Sequence, residues 1–293
     1  YTTLFRSVAV RAVLQICHGV AEHIARYDGF ARALNEQGIV VAGHDHLGHG
    51  KSLPEGGTPV YFGQGSTWNT VVDDIYILHQ RLKQRYPDVP LCIMGHSMGS
   101  FLTRTYLIRY PGTVKAAVIM GTGWQPRAAI TGGLALANAI AAVSGENATS
   151  ELVTELAFGS YNKLFAPNRT KVDWLSADES NVDDYIADPL CGADATVGLF
   201  RQMLHGIRFN QRQSHLRQMD REMPVLFVAG DKDPVGSCGK GVRQTYDAFR
   251  AAGMRDCTLK LYPGLRHEIL NEKAYTADIT KNIEAWLLSR LEK

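Results

Sequence analysis

The sequence predicts an α/β protein: an open, doubly wound, mostly parallel sheet with a helical cap inserted past its middle. Three observations predict it. Short β-branched runs alternate with segments of helical hydrophobic spacing. Those runs are apolar almost without interruption, as strands covered on both faces must be. One interval, 124–220, breaks the alternation with helical and loop character alone.

In chain order, VRAVLQICHG (10–19) reads as the first strand and IVVAGHD (39–45) as the second. Val71, Ile75, Leu78 and Leu82 then fall at i, i+4, i+7 and i+11, the stripe of a helix lying on a sheet. VPLCIMG (89–95) and VKAAVIMG (114–121) supply two further strands. PVLFVAG (224–230) and CTLKLYPG (257–264) complete the set, and Ile279, Ile283, Trp286 and Leu287 mark a C-terminal helix. Residues 1–123 and 221–293 are therefore expected to form one core, with 124–220 as a cap over the strand C-termini; the interval is too long for a simple crossover. Within it, 128–143 puts Ile130, Leu134, Ala137 and Ala141 on one side and Leu136, Ile140 and Val143 on an adjacent one. Core packing explains such a face. The functional alternative is a cap helix that lines an acyl channel or dips into a membrane interface. The run is shorter than the ~20 residues that span a bilayer, and Gly132 and Gly133 interrupt it.

Composition narrows the function classes. A formal charge of +2, with no Lys/Arg block, gives no footprint for nucleic acid. The five cysteines, Cys17, Cys92, Cys191, Cys238 and Cys257, are odd in number and contain no CxxC, against a disulfide framework or a Cys-rich zinc site. No charged start followed by an apolar run suggests a leader, so a reducing, cytoplasmic location is the expectation.

The chemistry concentrates at strand ends. Gly95-His96-Ser97-Met98-Gly99 follows an apolar strand directly and precedes helix formers. A tight strand-to-helix turn would strain the backbone at Ser97 and require small residues at both flanks. A serine hydroxyl needs a base, and the base an orienting carboxylate. On such a sheet the chain order is serine, then acid, then histidine. The strand 224–230 leads into Asp231-Lys232-Asp233-Pro234, and 257–264 leads into Leu265-Arg266-His267-Glu268, both where open α/β sheets bind ligands. Asp231 and Asp233 compete for the acid role. Asp233, further out and rigidified by Pro234, is favoured; Asp231 then stabilises the turn, and Glu268 forms a salt bridge or caps a loop. The oxyanion hole needs two backbone N–H donors. Met98 supplies one, and the turn after the first strand supplies the other, with His18 shaping that loop and Val20 donating.

With those residues placed, the chain resembles the monoacylglycerol lipase and lysophospholipase branch of the α/β-hydrolase superfamily, from about residue 10 onward. HGVAEHIARY (18–27) resembles its HG-x-x-EH-x-x-RY segment, DHLGHGKS (45–52) its D-x-x-GHG-x-S turn, and GHSMGS (95–100) its nucleophile motif. GDKDPV (230–235) resembles its acid turn and YPGLRHEILNE (262–272) its histidine segment. The resemblance implies the α/β-hydrolase fold, a Ser97–Asp233–His267 triad and an oxyanion hole from Val20 and Met98. Nine residues before the first strand leave the family's N-terminal antiparallel strands shortened or absent in this numbering. DWLSADES (173–180) and DPLCG (188–192) are similar to bacterial lysophospholipase-like caps.

His44, His46 and His49 invite a metal, but the H-x-H-x-D-H arrangement needs an aspartate where Gly48 stands. No metal is expected there. The three histidines read as turn and hydrogen-bonding residues, with Gly48 and Gly50 packing their loop beside the active-site rim. The expectation is a serine hydrolase of small-molecule acyl esters, monoacylglycerol- or lysophospholipid-like, working through an acyl-enzyme with no cofactor and with transient membrane contact through the cap. An amidase or aminopeptidase with the same triad is the nearest rival, and a non-catalytic ligand-binding domain is the rival of another class. Epoxide hydrolases and dehalogenases of this fold need Asp at position 97.

Overall fold

A computed structural model describes residues 2–3 and 9–291. The strands are β1 Thr2–Thr3, β2 Ala12–Cys17, β3 Ile39–Gly43, β4 Leu91–His96, β5 Ala116–Met120, β6 Val225–Gly230 and β7 Cys257–Tyr262. They form one sheet in the order β1-β3-β2-β4-β5-β6-β7. Strands β2 to β7 pair in parallel, and β1 adds antiparallel to β3, so an N-terminal antiparallel strand survives in two-residue form. All six expected strands form; five are trimmed to the stretch that ladders, and β4 starts later than expected but runs on to His96.

The helices are α1 Asp28–Glu36, α2 Trp68–Arg85, α3 Met98–Arg109, α4 Arg127–Ser144, α5 Glu151–Thr154, α6 Ser160–Lys163, α7 Glu179–Ala187, α8 Val197–Asn210, α9 Gln213–Leu216, α10 Lys240–Ala251 and α11 Thr276–Leu291; a π-helical turn, Glu155–Gly159, links α5 to α6. Strand residues alternate between the two faces of the sheet. Ile93, Ala117, Ile119 and Phe227 pack with Val71 and Ile75 of α2, Phe101 and Leu102 of α3, and Phe249 of α10. Met94, Val118, Met120 and Val228 pack with Phe30 and Leu34 of α1 and Ile279 and Ile283 of α11. Period-two alternation thus feeds two apolar layers from one set of strands.

Between β5 and β6 the described chain is helical apart from loops and one isolated bridge, Thr149 to Thr196. Helix α8, inside the expected cap interval, packs on α4 and also ties that interval to α2 and α3 of the body. Asn210 donates to the Phe101 carbonyl and accepts from the Thr105 hydroxyl, both at 2.8 Å, and Thr105 in turn accepts from the Trp68 indole at 2.8 Å. Parallel neighbours need a crossover to return the chain, and α8 provides it. On α4, Ile130, Leu134 and Ala137 are buried, which is the core-packing face, whereas Val143 is 89% exposed. Helix α4 is long and apolar enough to cross a membrane by length and composition, with mean hydropathy 1.3 and 17% of its residues buried.

Candidate active site

Strand β4 runs straight into Ser97, whose backbone sits at φ 53° and ψ −122°, and α3 starts at the next residue. A positive φ at a non-glycine residue is strained, and it persists here because the surroundings leave no alternative. A Cβ on Gly95 would come within 2.2 Å of the Gly99 carbonyl oxygen, and one on Gly99 within 2.0 Å of the Cys17 carbonyl oxygen. The turn therefore requires glycine at both flanks. Ser97 is held by its N–H donating to the Met120 carbonyl at 3.1 Å and is half-buried. The Met98 N–H belongs to the first turn of α3, where unpaired donors and the helix dipole favour negative charge.

Asp233 follows β6 and is fully buried; its Oδ1 lies 3.0 Å from His267 Nδ1 and also accepts the Val235 N–H at 2.9 Å. His267 follows β7, is 2% exposed, and its Nε2 has no hydrogen-bond partner among the described residues. Asp231 takes the other role, accepting the Gly264 N–H at 2.8 Å across the turn. Both Ser97 and His267 line a cavity of about 920 Å³ together with Gly19, Val20, His96 and Trp174. Its cap side comes from residues 149–163, 168–175 and 185–195. No described residue of α4 lines it, so the expected alternative of α4 walling an acyl channel is not what the packing gives.

The loop after β2 reaches Ser97 closely: a Cβ on Gly19 would stand 3.2 Å from Ser97 Cβ. His18 shapes that loop from within, with Nδ1 2.7 Å from the Gly19 carbonyl and Nε2 accepting the His46 N–H at 2.9 Å. A second support is absent from the sequence reading. Buried Glu22 accepts the Gly19 N–H at 2.5 Å and the Tyr27 hydroxyl at 2.9 Å, and it meets Arg26 Nη1 at 2.9 Å and His96 Nδ1 at 3.3 Å. Burial raises the Glu22 carboxyl, but His96 and Arg26 outweigh it and hold it well below the usual carboxylate range. Burial likewise lowers His96, and the hydrogen bond and charge of Glu22 reverse the sign and leave it raised. His96 Nε2 lies 3.3 Å from the His267 carbonyl, and its ring is 4.7 Å from the His267 ring. Glu268, expected as an ion-pair residue, binds Arg26 in two-pronged fashion at 2.6 and 2.8 Å and takes the Asn181 amide at 2.9 Å. The i, i+4, i+5 spacing of Glu22, Arg26 and Tyr27 was the signal for this network.

The histidine loop needs correction. His49 Nδ1 lies 2.9 Å from the Leu47 carbonyl, but both ring nitrogens of His44 and of His46 lack partners among the described residues. These rings pack rather than hydrogen-bond: His46 is 4.2 Å from His18 and 5.3 Å from His44, centroid to centroid. Burial pushes His18 down to about 3 and His44 to about 4, so the cluster is neutral. The polar work of the turn falls to Asp45, whose carboxylate accepts the N–H groups of Ile24 and Lys51 at 2.8 and 2.7 Å. A Cβ on Gly48 would strike the Tyr61 backbone at 2.0 Å, so the close packing is against that loop and not the cavity rim.

Four likenesses accompany this geometry. The family described as "Serine aminopeptidase, S33" matches residues 8–274. The chain is 32% identical over 286 residues to a monoacylglycerol lipase of Mycolicibacterium smegmatis, covering 96% of this chain and 89% of that protein. It is 28% identical over 282 residues to the monoglyceride lipase of Homo sapiens, covering 96% and 83%. Among solved structures, a highly thermostable carboxyl esterase from Bacillus coagulans, in complex with glycerol, superimposes with a TM-score of 0.91 and 26% identity, over 97% of this chain and 92% of that one.

Proposed function

The chain belongs to the serine aminopeptidase S33 family of α/β-hydrolases, and from that premise we propose that it is a carboxylic ester hydrolase in which Ser97 attacks acyl esters of the monoacylglycerol or lysophospholipid kind. The observation that carries the reading is the 3.0 Å Asp233–His267 contact, buried and with Nε2 unpaired, on the cavity that Ser97 also lines. His267 Nε2 takes the Ser97 hydroxyl proton as Oγ attacks the ester carbonyl, and Asp233 stabilises the imidazolium. The N–H groups of Val20 and Met98 receive the oxyanion. Collapse expels the alcohol, which receives its proton from His267, and water then repeats the sequence on the acyl-enzyme to release the acid. Water balances the cycle, so no cofactor enters it.

Substrate preference follows from the cavity walls. Phe158 and Trp174 stack with centroids 6.4 Å apart, and the Trp174 ring is 5.1 Å from His267, an apolar wall beside the reacting bond. Asn162, Lys163 and Lys171 bring polar groups to the same cavity, suited to a glycerol or phosphoglycerol head group. Outside, Val143, Leu152, Leu156 and Leu164 are between 55% and 89% exposed. These side chains support docking of the cap on a lipid interface, where such a substrate resides. The free thiols suit a reducing, cytoplasmic setting.

The test pairs a soluble short-chain p-nitrophenyl ester with a long-chain monoacylglycerol in vesicles. Val143→Asp with Leu156→Asp should leave kcat/KM for the soluble ester within about twofold and lower vesicle turnover roughly tenfold. Equal losses on both would sink the docking role. The family's description supports a second reading, release of amino-terminal residues. Aminoacyl anilide turnover exceeding ester turnover would favour it.

A further inference from the structure

The loop that follows β2 meets the cap at a seam bordering the cavity, which Ala21, Tyr185 and Gly192 also line. There His23 Nε2 lies 2.8 Å from Asp188 Oδ2. Asp188 ends α7, and the Cys191 N–H donates to the Asp188 carbonyl at 3.0 Å, a four-residue turn that carries both side chains. One donor atom each from His23, Asp188 and Cys191 lies within 4.8 Å of the other two. His23 is buried and the other two are half-buried. Neighbouring bonds fix this seam independently: the Tyr185 hydroxyl and the Gly192 N–H both donate to the Ala21 carbonyl, at 3.0 and 2.9 Å.

The Asp188 carboxylate brings a negative charge to the seam, within reach of both His23 and Cys191. Imidazole nitrogen, thiolate sulfur and carboxylate oxygen are together the donor set of Zn²⁺. Three protein ligands leave a fourth tetrahedral position for water.

We propose that His23, Asp188 and Cys191 form a Zn²⁺ site that pins the cap to the loop bearing Val20. The site lies outside the catalytic centre, and the inference stands whether or not the substrate is an ester. On binding, Zn²⁺ takes the place of the His23–Asp188 contact: neutral His23 coordinates through Nε2 with its proton on Nδ1, Asp188 through an oxygen, and the Cys191 thiol releases one proton to solvent as the Zn–S bond forms.

The test uses the purified full chain, stripped with chelator and titrated with Co²⁺ as a spectroscopic stand-in, then with Zn²⁺. The expected result is a thiolate-to-cobalt absorption band that saturates at one equivalent, is displaced by Zn²⁺, and accompanies release of one proton. Zn²⁺ should raise Tm by about 5 °C. Cys191→Ser should abolish the band and the shift, and Asp188→Asn should weaken Zn²⁺ binding at least tenfold. Either variant keeps the short-ester activity that reports folding, so one suffices if the other fails to fold. Cys238→Ser, which removes an exposed thiol elsewhere, should leave the band intact. Absence of a band, a band that survives Cys191→Ser, or one lost with Cys238→Ser would overturn the site.

Discussion

The body and the cap spend similar apolar residues in opposite ways. Strands β2 to β6 are buried at every position. In the cap, α4 has mean hydropathy 1.3 yet 17% of its residues buried. Among the described residues, Val143, Leu152, Leu156, Leu164, Ile186 and Leu190 are six of the nine large hydrophobic side chains left exposed, and all lie between α4 and the seam. Apolar surface removed from water stabilises a fold; apolar surface left in water stays available to something else. Burial therefore concentrates in the body, and on the proposed reading the cap is the place of encounter.

The largest effect should come from breaking the body's chemistry while sparing its fold. Ser97→Ala and His267→Ala are each expected to lower kcat by several orders of magnitude, and the double variant by little more, because the residues act as one unit. Asp233→Asn should approach those losses. Asp231→Asn, which touches only the Gly264 N–H, should keep activity within about tenfold. Steady-state kinetics on a short ester decides this, and additive losses or a reversed aspartate ranking would break the assignment.

A second experiment concerns the body's acid tolerance. His18 and His44 are held neutral chiefly by burial, at about 3 and about 4, and burial also pushes His46 and His49 down. An imidazole whose folded value is depressed contributes stability that is present in full above its unfolded value near 6.5 and is lost as pH falls toward the folded value. His96, raised by Glu22, works the other way: its contribution is full below the unfolded value and fades as pH rises through the folded one. The depressed rings outnumber it, so stability should drop between pH 6.5 and 4, by up to about 2 kcal/mol per depressed ring at pH 5. Urea midpoints at pH 7 and pH 5 measure it. An unchanged midpoint would mean that the cluster is not held neutral by burial.

Glycine substitutions give the smallest and sharpest contrast. Gly99→Ala forces a Cβ against the Cys17 and His18 carbonyl oxygens, at 2.0 and 2.5 Å, and should cost about 3 kcal/mol. Gly132→Ala in α4 meets nothing within 4 Å and should stabilise by roughly 0.5–1 kcal/mol. Should Gly132→Ala destabilise instead, the outer side of α4 is covered and the contrast fails.

These differences also explain what the amino-acid order revealed. The six parallel strands were legible because a strand buried on both faces reads as an unbroken apolar run. Ser97, Asp233 and His267 could be proposed from the sequence because each follows such a run. The Glu22 network was legible only in part: the spacing to Arg26 and Tyr27 signalled it, but the contact with His96 is one that only the fold brings together. The histidine loop misled in a further way: polar residues suggested hydrogen bonds, yet the His44 and His46 rings pack with both nitrogens unpaired among the described residues. The link from α8 to the body was not legible, because α8 has the same helical spacing as its neighbours and its attachment to Thr105 is tertiary.

That attachment bears on how such a chain could change its clientele over generations. Strand β5 ends and its neighbour β6 begins at opposite ends of the strands, because the two run parallel, and α8 is the return between them. A replacement of residues 124–195 would exchange the lid and leave the return in place. One reaching to 220 would carry off the return helix together with its Asn210 anchor. The interchangeable cassette is thus shorter than the whole interval between the strands, and its downstream splice point is the Thr196 that caps α8.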